Sequence, residues 1–168
     1  MTISMYQASI PVFRRGINAM TAVLDKAEAQ AAAKKFDAAV LLSSRLYPDM
    51  FPLTRQIQIM TDGAKGCAAR LAGIEIPKFE DTESSFADLK ARLAKTLDFV
   101  SSVTPAQIDG TEDKDIVLTL GGNPTTFKGQ QYLLGFVLPN FYFHGTTAYA
   151  ILRHNGIEIG KRDFLGQI

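Results

Sequence analysis

The sequence predicts an all-α protein, a four-helix bundle with a small β-hairpin insertion, and three observations lead there. Long apolar stripes recur with alternating steps of three and four residues. A segment of period two interrupts them once, and the last stripe widens until its helix is apolar nearly all round. A chain of 168 residues, 46% hydrophobic and 21% charged, has the size and composition of one globular domain, read here as spanning residues 1–168.

The first stripe is Ile3, Tyr6, Ile10, Phe13, Ile17, Met20, Leu24, Ala27 and Ala31. Pro11 falls inside it and offers no backbone N–H, so the helix either kinks near Gln7 or begins near Ser9. Asp37 to Leu46 reads as a short helical or irregular connector. In YPDMFP, Asp49 is a candidate cap for the second helix and Pro52 suits its first turn. Met50, Leu53, Ile57, Met60, Ala64, Cys67 and Leu71 form the second stripe, which Gly73 ends. Gly63 and Gly66 lie mid-helix, where each costs about 1 kcal/mol relative to alanine. Their presence predicts the close approach of another helix.

Asp81 or Thr82 is the expected cap of the third helix, with the stripe Phe86, Leu89, Leu93, Thr96 or Leu97, Val100 and Val103, and Pro105 beyond it. Ile116, Leu118 and Leu120 then alternate with Val117 and Thr119. Gly121-Gly122-Asn123-Pro124 and Thr125 to Lys128 follow, which predicts a hairpin between helices. The last helix runs from Gly129 or Gln130 to Asn155 and stops at Gly156, with a kink at Pro139. From Tyr132 to Phe143 it must be buried on more than one face, centrally or at a subunit interface. Ile157, Ile159, Phe164 and Leu165 are expected to pack back onto the bundle.

Composition excludes several functions. Eighteen basic against 17 acidic residues leave a net charge of +1, without the basic excess of a nucleic-acid binder. The apolar run from Tyr132 to Phe143 is far shorter than the ~20 residues of a membrane span. The N-terminus does not read as a signal peptide and Cys67 is the lone thiol, so a cytoplasmic location is expected, with no disulfide or Cys-rich zinc site. His144 and His154 are the only histidines, so one chain cannot form a three-histidine metal site.

His144 is the foremost candidate for chemistry. Asn140 and His144 are spaced i, i+4 among aliphatic residues, so their side chains can converge on one ligand. A buried imidazole serves as ligand, general base or hydrogen-bond hub. His154 lies about 15 Å farther along the helix, too far to share a metal with His144. Gln56, Gln58 and Asp62 on the second helix are the available partners. Gln58 and Asp62 are themselves i, i+4, and either forms a ligand set with His144 or lies on a solvated flank. Cys67, on an apolar stripe, reads as a small buried hydrophobe, and Arg153, Lys161, Arg162 and Asp163 as surface ion pairs.

RLYPDMFPLTRQIQIMTDGAKGCAARLAG and LPNFYFHGTTAYAILRHNGIEIGKRDFLG together resemble a family of uncharacterised, mostly bacterial proteins, the domain of unknown function numbered nineteen ninety-three. That family is grouped with the DinB/YfiT-like helical bundles. The resemblance implies a DinB-like four-helix bundle and a homodimer. The wider superfamily often holds a divalent metal through one histidine of the second helix and an HxxxH pair of the fourth, and some members are metal-dependent thiol transferases or hydrolases. Here His144 matches the second histidine of that pair and Asn140 stands at the first. The second helix has Gln56, Gln58 and Asp62 but no histidine. Two functions follow as expectations. One is a non-enzymatic homodimer that binds a small ligand or serves structurally, without a cofactor. The other is a variant metal-dependent enzyme using His144, Asn140 and Gln58 or Asp62.

Overall fold

Pro11 sets where the first helix begins. In the computed structural model, which describes residues 3–166, α1 runs Ile10–Lys34 with Pro11 in its first turn, where a missing N–H leaves no bond unmade. Ile3 and Tyr6 therefore lie outside the helix, and Ile3 is exposed. Ser9, just before the helix, turns its hydroxyl back to the Met5 carbonyl at 2.7 Å. A single turn, α2 (Ala39–Leu42), lies in the connector. Helix α3 (Leu53–Ala72) ends at Gly73, whose φ of +70° suits glycine. Asp49 does not cap it. Pro52 holds that position, and the connector is tied on by the Leu53 N–H donating to Ser44 O at 2.9 Å.

Helix α4 (Phe86–Ser102) is capped by Ser85, not by Asp81 or Thr82. The Ser85 hydroxyl accepts from the Asp88 N–H at 3.1 Å, which satisfies one of the free donors of the first turn. Of the two residues proposed for its stripe, Thr96 is buried and Leu97 only partly, because the Thr96 hydroxyl finds the Arg92 carbonyl at 2.8 Å. A short α5 (Pro105–Ile108) leads to β1 (Asp115–Leu120) and β2 (Asn123–Lys128), paired antiparallel with Leu120 opposite Asn123. Gly121 and Gly122 alone make the turn, with φ of +56° and +84°, and Asn123 and Pro124 belong to β2.

The last long helix is continuous in three parts: α6 (Gly129–Gln131), a wide π turn over Tyr132–Val137, and α7 (Leu138–His154). The π turn sits immediately before Pro139, where an α-helical ladder would meet a residue without an N–H. Asn140 donates its side-chain amide to the Phe136 carbonyl at 2.7 Å in the same segment. The chain closes with α8 (Lys161–Leu165), a helix the periodicity did not predict. Ile157 and Ile159 are buried as expected and Phe164 is half-buried, but Leu165 is exposed.

Helix α3 packs on α4 and α7, and α1 on α4, α7 and α8, so four long helices enclose one apolar core. The close approach predicted at Gly63 and Gly66 lies elsewhere. A Cβ on Gly63 would meet nothing within 4 Å, and one on Gly66 would meet the Arg70 side chain of its own helix. A Cβ on Gly16 would instead stand 2.6 Å from the Phe141 ring, where α1 and α7 meet. Cys67 is fully buried in α3, and burial pushes its thiol far above its ordinary range against the charge of Arg70. We expect Gly16→Val to lower stability by about 1–3 kcal/mol through overpacking, and Gly63→Ala to raise it by about 0.5–1 kcal/mol, both read from urea denaturation midpoints.

Candidate functional site

The polar residues singled out from sequence fall into two separate clusters. Successive residues of a helix turn by about 100°, so Gln56 and Gln58 point to nearly opposite sides of α3. Gln56 faces α7. Its Oε1 lies 2.7 Å from His144 Nδ1, while its Nε2 donates to the Phe51 carbonyl at 3.0 Å. With the amide oriented by Phe51, Oε1 is the acceptor and His144 Nδ1 carries the proton. His144 Nε2 then has its lone pair free in the neutral ring. Among the described residues it makes no hydrogen bond, and it is not sealed from solvent. Burial, aided by the charge of Arg55, lowers the His144 pKa below its ordinary value of 6.5.

Gln58 and Asp62 face α4 and join a network around Arg92. Arg92 is 2% exposed although it is an arginine on an apolar stripe. Its Nε donates to Thr61 Oγ1 at 2.8 Å and its Nη2 to Asp62 at 2.8 Å. Its Nη1 donates to Asp81 and Glu83, each at 2.9 Å. Gln58 donates to Glu83 at 2.7 Å and accepts from Arg55, which also pairs with Asp81. Lys65 pairs with Asp62 at 2.8 Å and sits 4.7 Å above the centre of the Phe79 ring. Burial alone would raise the Glu83 pKa, but the hydrogen bonds from Arg92 and Gln58 hold it below its ordinary value. The network ties the loop before α4 to both α3 and α4, and its charges are matched within it.

The four predicted ligands are thus not brought to one point. His144 meets Gln56, Asn140 is exposed and turned back to Phe136, and Gln58 and Asp62 belong to Arg92. Both missed pairings have a sequence signal. Gln56 lies three residues after Leu53 and four before Met60, on the stripe itself, whereas Gln58 and Asp62 lie beside it. Arg92 lies three after Leu89 and four before Thr96, again on the stripe.

A third feature had no signal in any one segment. A cleft of about 210 Å³ opens between α1, α7 and α8, walled by Val12, Gly16, Met60, Phe141, Gly145 and Phe164. Arg15 and Tyr142 are exposed lining residues. The outer face of α7 carries a shallower hollow lined by Leu46, Pro139, Tyr142 and Phe143, with Phe143 56% exposed and Phe51 of the neighbouring connector 54% exposed.

A family model described as a domain of unknown function, DUF1993, matches residues 5–165. The chain belongs to the DUF1993 family. A comparison with curated proteins finds no match. Among solved structures, the chain is similar to a DinB family member protein from Shewanella denitrificans, at 39% identity and a TM-score of 0.88. The alignment covers 97% of this chain and 92% of that one. The DinB-like bundle read from the sequence is therefore the fold of this DUF1993 protein.

The metal implied by the wider superfamily can be tested against these residues. Of the positions that would hold it, Asn140 is committed to a backbone carbonyl and Gln56 presents an amide already bonded on both atoms. Amide oxygens are poor ligands for zinc or nickel, which prefer imidazole. Among the described residues, no group of three or more His, Cys, Asp or Glu is placed to hold a metal ion. The residues at this position do not fit the superfamily's metal.

The lowered His144 pKa has a stability consequence whose sign is fixed. Well above pH 6.5 both folded and unfolded forms are neutral at this residue, and its contribution is complete. As pH falls below 6.5 the unfolded chain binds the proton first, so stability declines until the pH passes the lowered folded value. Urea midpoints measured across this range should show that decline in the natural protein and lose His144's share of it in His144→Gln.

Proposed function

We propose that this DUF1993 protein is a non-enzymatic, metal-independent homodimer that binds a small ligand. The observation that carries the reading is the preformed cleft between α1, α7 and α8, an apolar hollow with a few polar groups on its lining, the usual form of a small-molecule site. The separation of His144, Asn140, Gln58 and Asp62 supports it, because a variant transferase or hydrolase would need those groups on one accessible point. Elemental analysis after incubation with zinc, nickel and manganese and then desalting tests the metal-independent part. Neither the natural protein nor His144→Ala should retain stoichiometric metal. Near-stoichiometric metal that disappears in His144→Ala would overturn the reading and favour the metal-dependent enzyme.

The homodimer is supported by the apolar surface that α7 leaves uncovered. Leu46, Pro139, Tyr142 and Phe143 line one hollow, and Tyr47 and Phe51 are exposed on the same connector as Leu46. Large exposed aliphatic and aromatic side chains gathered in one place are the mark of an association surface. Light scattering during gel filtration should give a dimer mass for the natural protein and a monomer mass for Phe143→Glu, with unchanged circular dichroism. A dimer in both would move the interface to another face.

A further inference from the structure

We propose that the cleft between α1, α7 and α8 binds a small monocarboxylate with an apolar or aromatic body, the carboxylate lying on Arg15. This deepens the small-ligand reading above and rests on it.

The apolar end follows from two glycines and the ring between them. A Cβ on Gly145 would stand 3.4 Å from Met60 Sδ and 3.6 Å from Phe164 Cε2, so the missing side chain leaves usable room and not a clash. Gly16 lets the Phe141 ring lie against the α1 backbone, and that ring forms a wall of the cleft. Phe164 forms another wall from α8 and is held edge-on to Tyr149 with ring centres 5.8 Å apart. The volume of about 210 Å³ is somewhat larger than the roughly 150 Å³ cavity that takes up benzene in another helical protein. One ring with a short chain fills it, and a nucleotide exceeds it.

The charged end follows from Arg15. Its guanidinium makes no ion pair or hydrogen bond among the described residues, although it lines an apolar cleft. The same residue lines the adjoining recess with Asn18 and Arg162, and Arg162 also has no ion pair among the described residues. The one carboxylate lining that recess, Asp163, is already committed. It pairs with Lys26 at 2.6 Å and accepts from the Gly160 N–H at 2.8 Å. Among the described residues neither guanidinium has a carboxylate partner, and beside the apolar wall of the cleft they select an anion whose other end is apolar. A planar carboxylate matches the arginine fork.

Two-dimensional amide NMR of the full chain, titrated with phenylpropanoate and with its neutral amide, tests this. Phenylpropanoate should move the Val12, Gly16 and Gly145 amides saturably. Binding should be about tenfold weaker for the neutral amide and for Arg15→Gln, the loss of one charge-assisted contact. Val12→Trp, which fills the cleft, should abolish it, and Gly145→Ala, a milder filling at ordinary contact distance, should weaken it. Thermal melts confirm that each variant is folded. Equal binding of acid and amide overturns the ligand class, and shifts confined to other residues overturn the site. Native mass spectrometry of the purified protein separates this proposal from the broader one. If phenylpropanoate gives no shifts while a co-purified small molecule persists in Val12→Trp, this site fails and the small-ligand reading stands. If there is neither shift nor co-purified molecule, both fail.

Discussion

Phe141 meets Phe13 edge-on, with ring centres 5.2 Å apart, and occupies the space that any side chain on Gly16 would need. This contact joins the first and last long helices and closes the bundle. Helix α7 must therefore lie against both α1 and α3, with Phe141, Ala148, Ile151 and Leu152 turned inward. A helix apolar nearly all round cannot hide every face against two neighbours. Tyr142 and Phe143, next along the chain, are left outside as a consequence of the same contact. The cleft under α8 and the apolar outer face are thus the two sides of one packing arrangement, and Tyr142 lines both.

The polar interior is organised by the turn of α3. Its two glutamines, two residues apart, serve opposite neighbours: Gln56 holds His144 of α7, and Gln58 enters the Arg92 network of α4. In each case the glutamine has both its side-chain oxygen and its side-chain nitrogen bonded within the protein. Breaking one partner would leave the other dehydrated and unpaired, which costs more than the pair contributes when intact. The two networks therefore specify which helix lies on each side of α3.

Membership of the DUF1993 family and likeness to a DinB family structure establish the fold, and a fold of this kind hosts more than one chemistry. What separates this chain from a histidine-ligated metal centre is local. An amide stands opposite the imidazole, and the neighbouring Asn140 is turned back to the Phe136 carbonyl. The free space lies instead at the far side of α7, between α1 and α8, with Arg15 on its lining.

Periodicity in the sequence determined the four long helices, the position of the hairpin and most of the core, because helix and strand repeats of apolar residues act over a few neighbouring positions. Pro11 marked the start of α1 and Gly73 and Gly156 marked stops, since the missing N–H and the left-handed turn are properties of single residues. The pairing of His144 with Gln56 and not Gln58, the partners of Arg92 and the cleft were decided only in the tertiary structure. Each depends on the rotation of one helix against another. His144 and Gln56 are 88 residues apart, and the walls of the cleft come from four helices. No local spacing carries that angle, because packing of the whole core sets it.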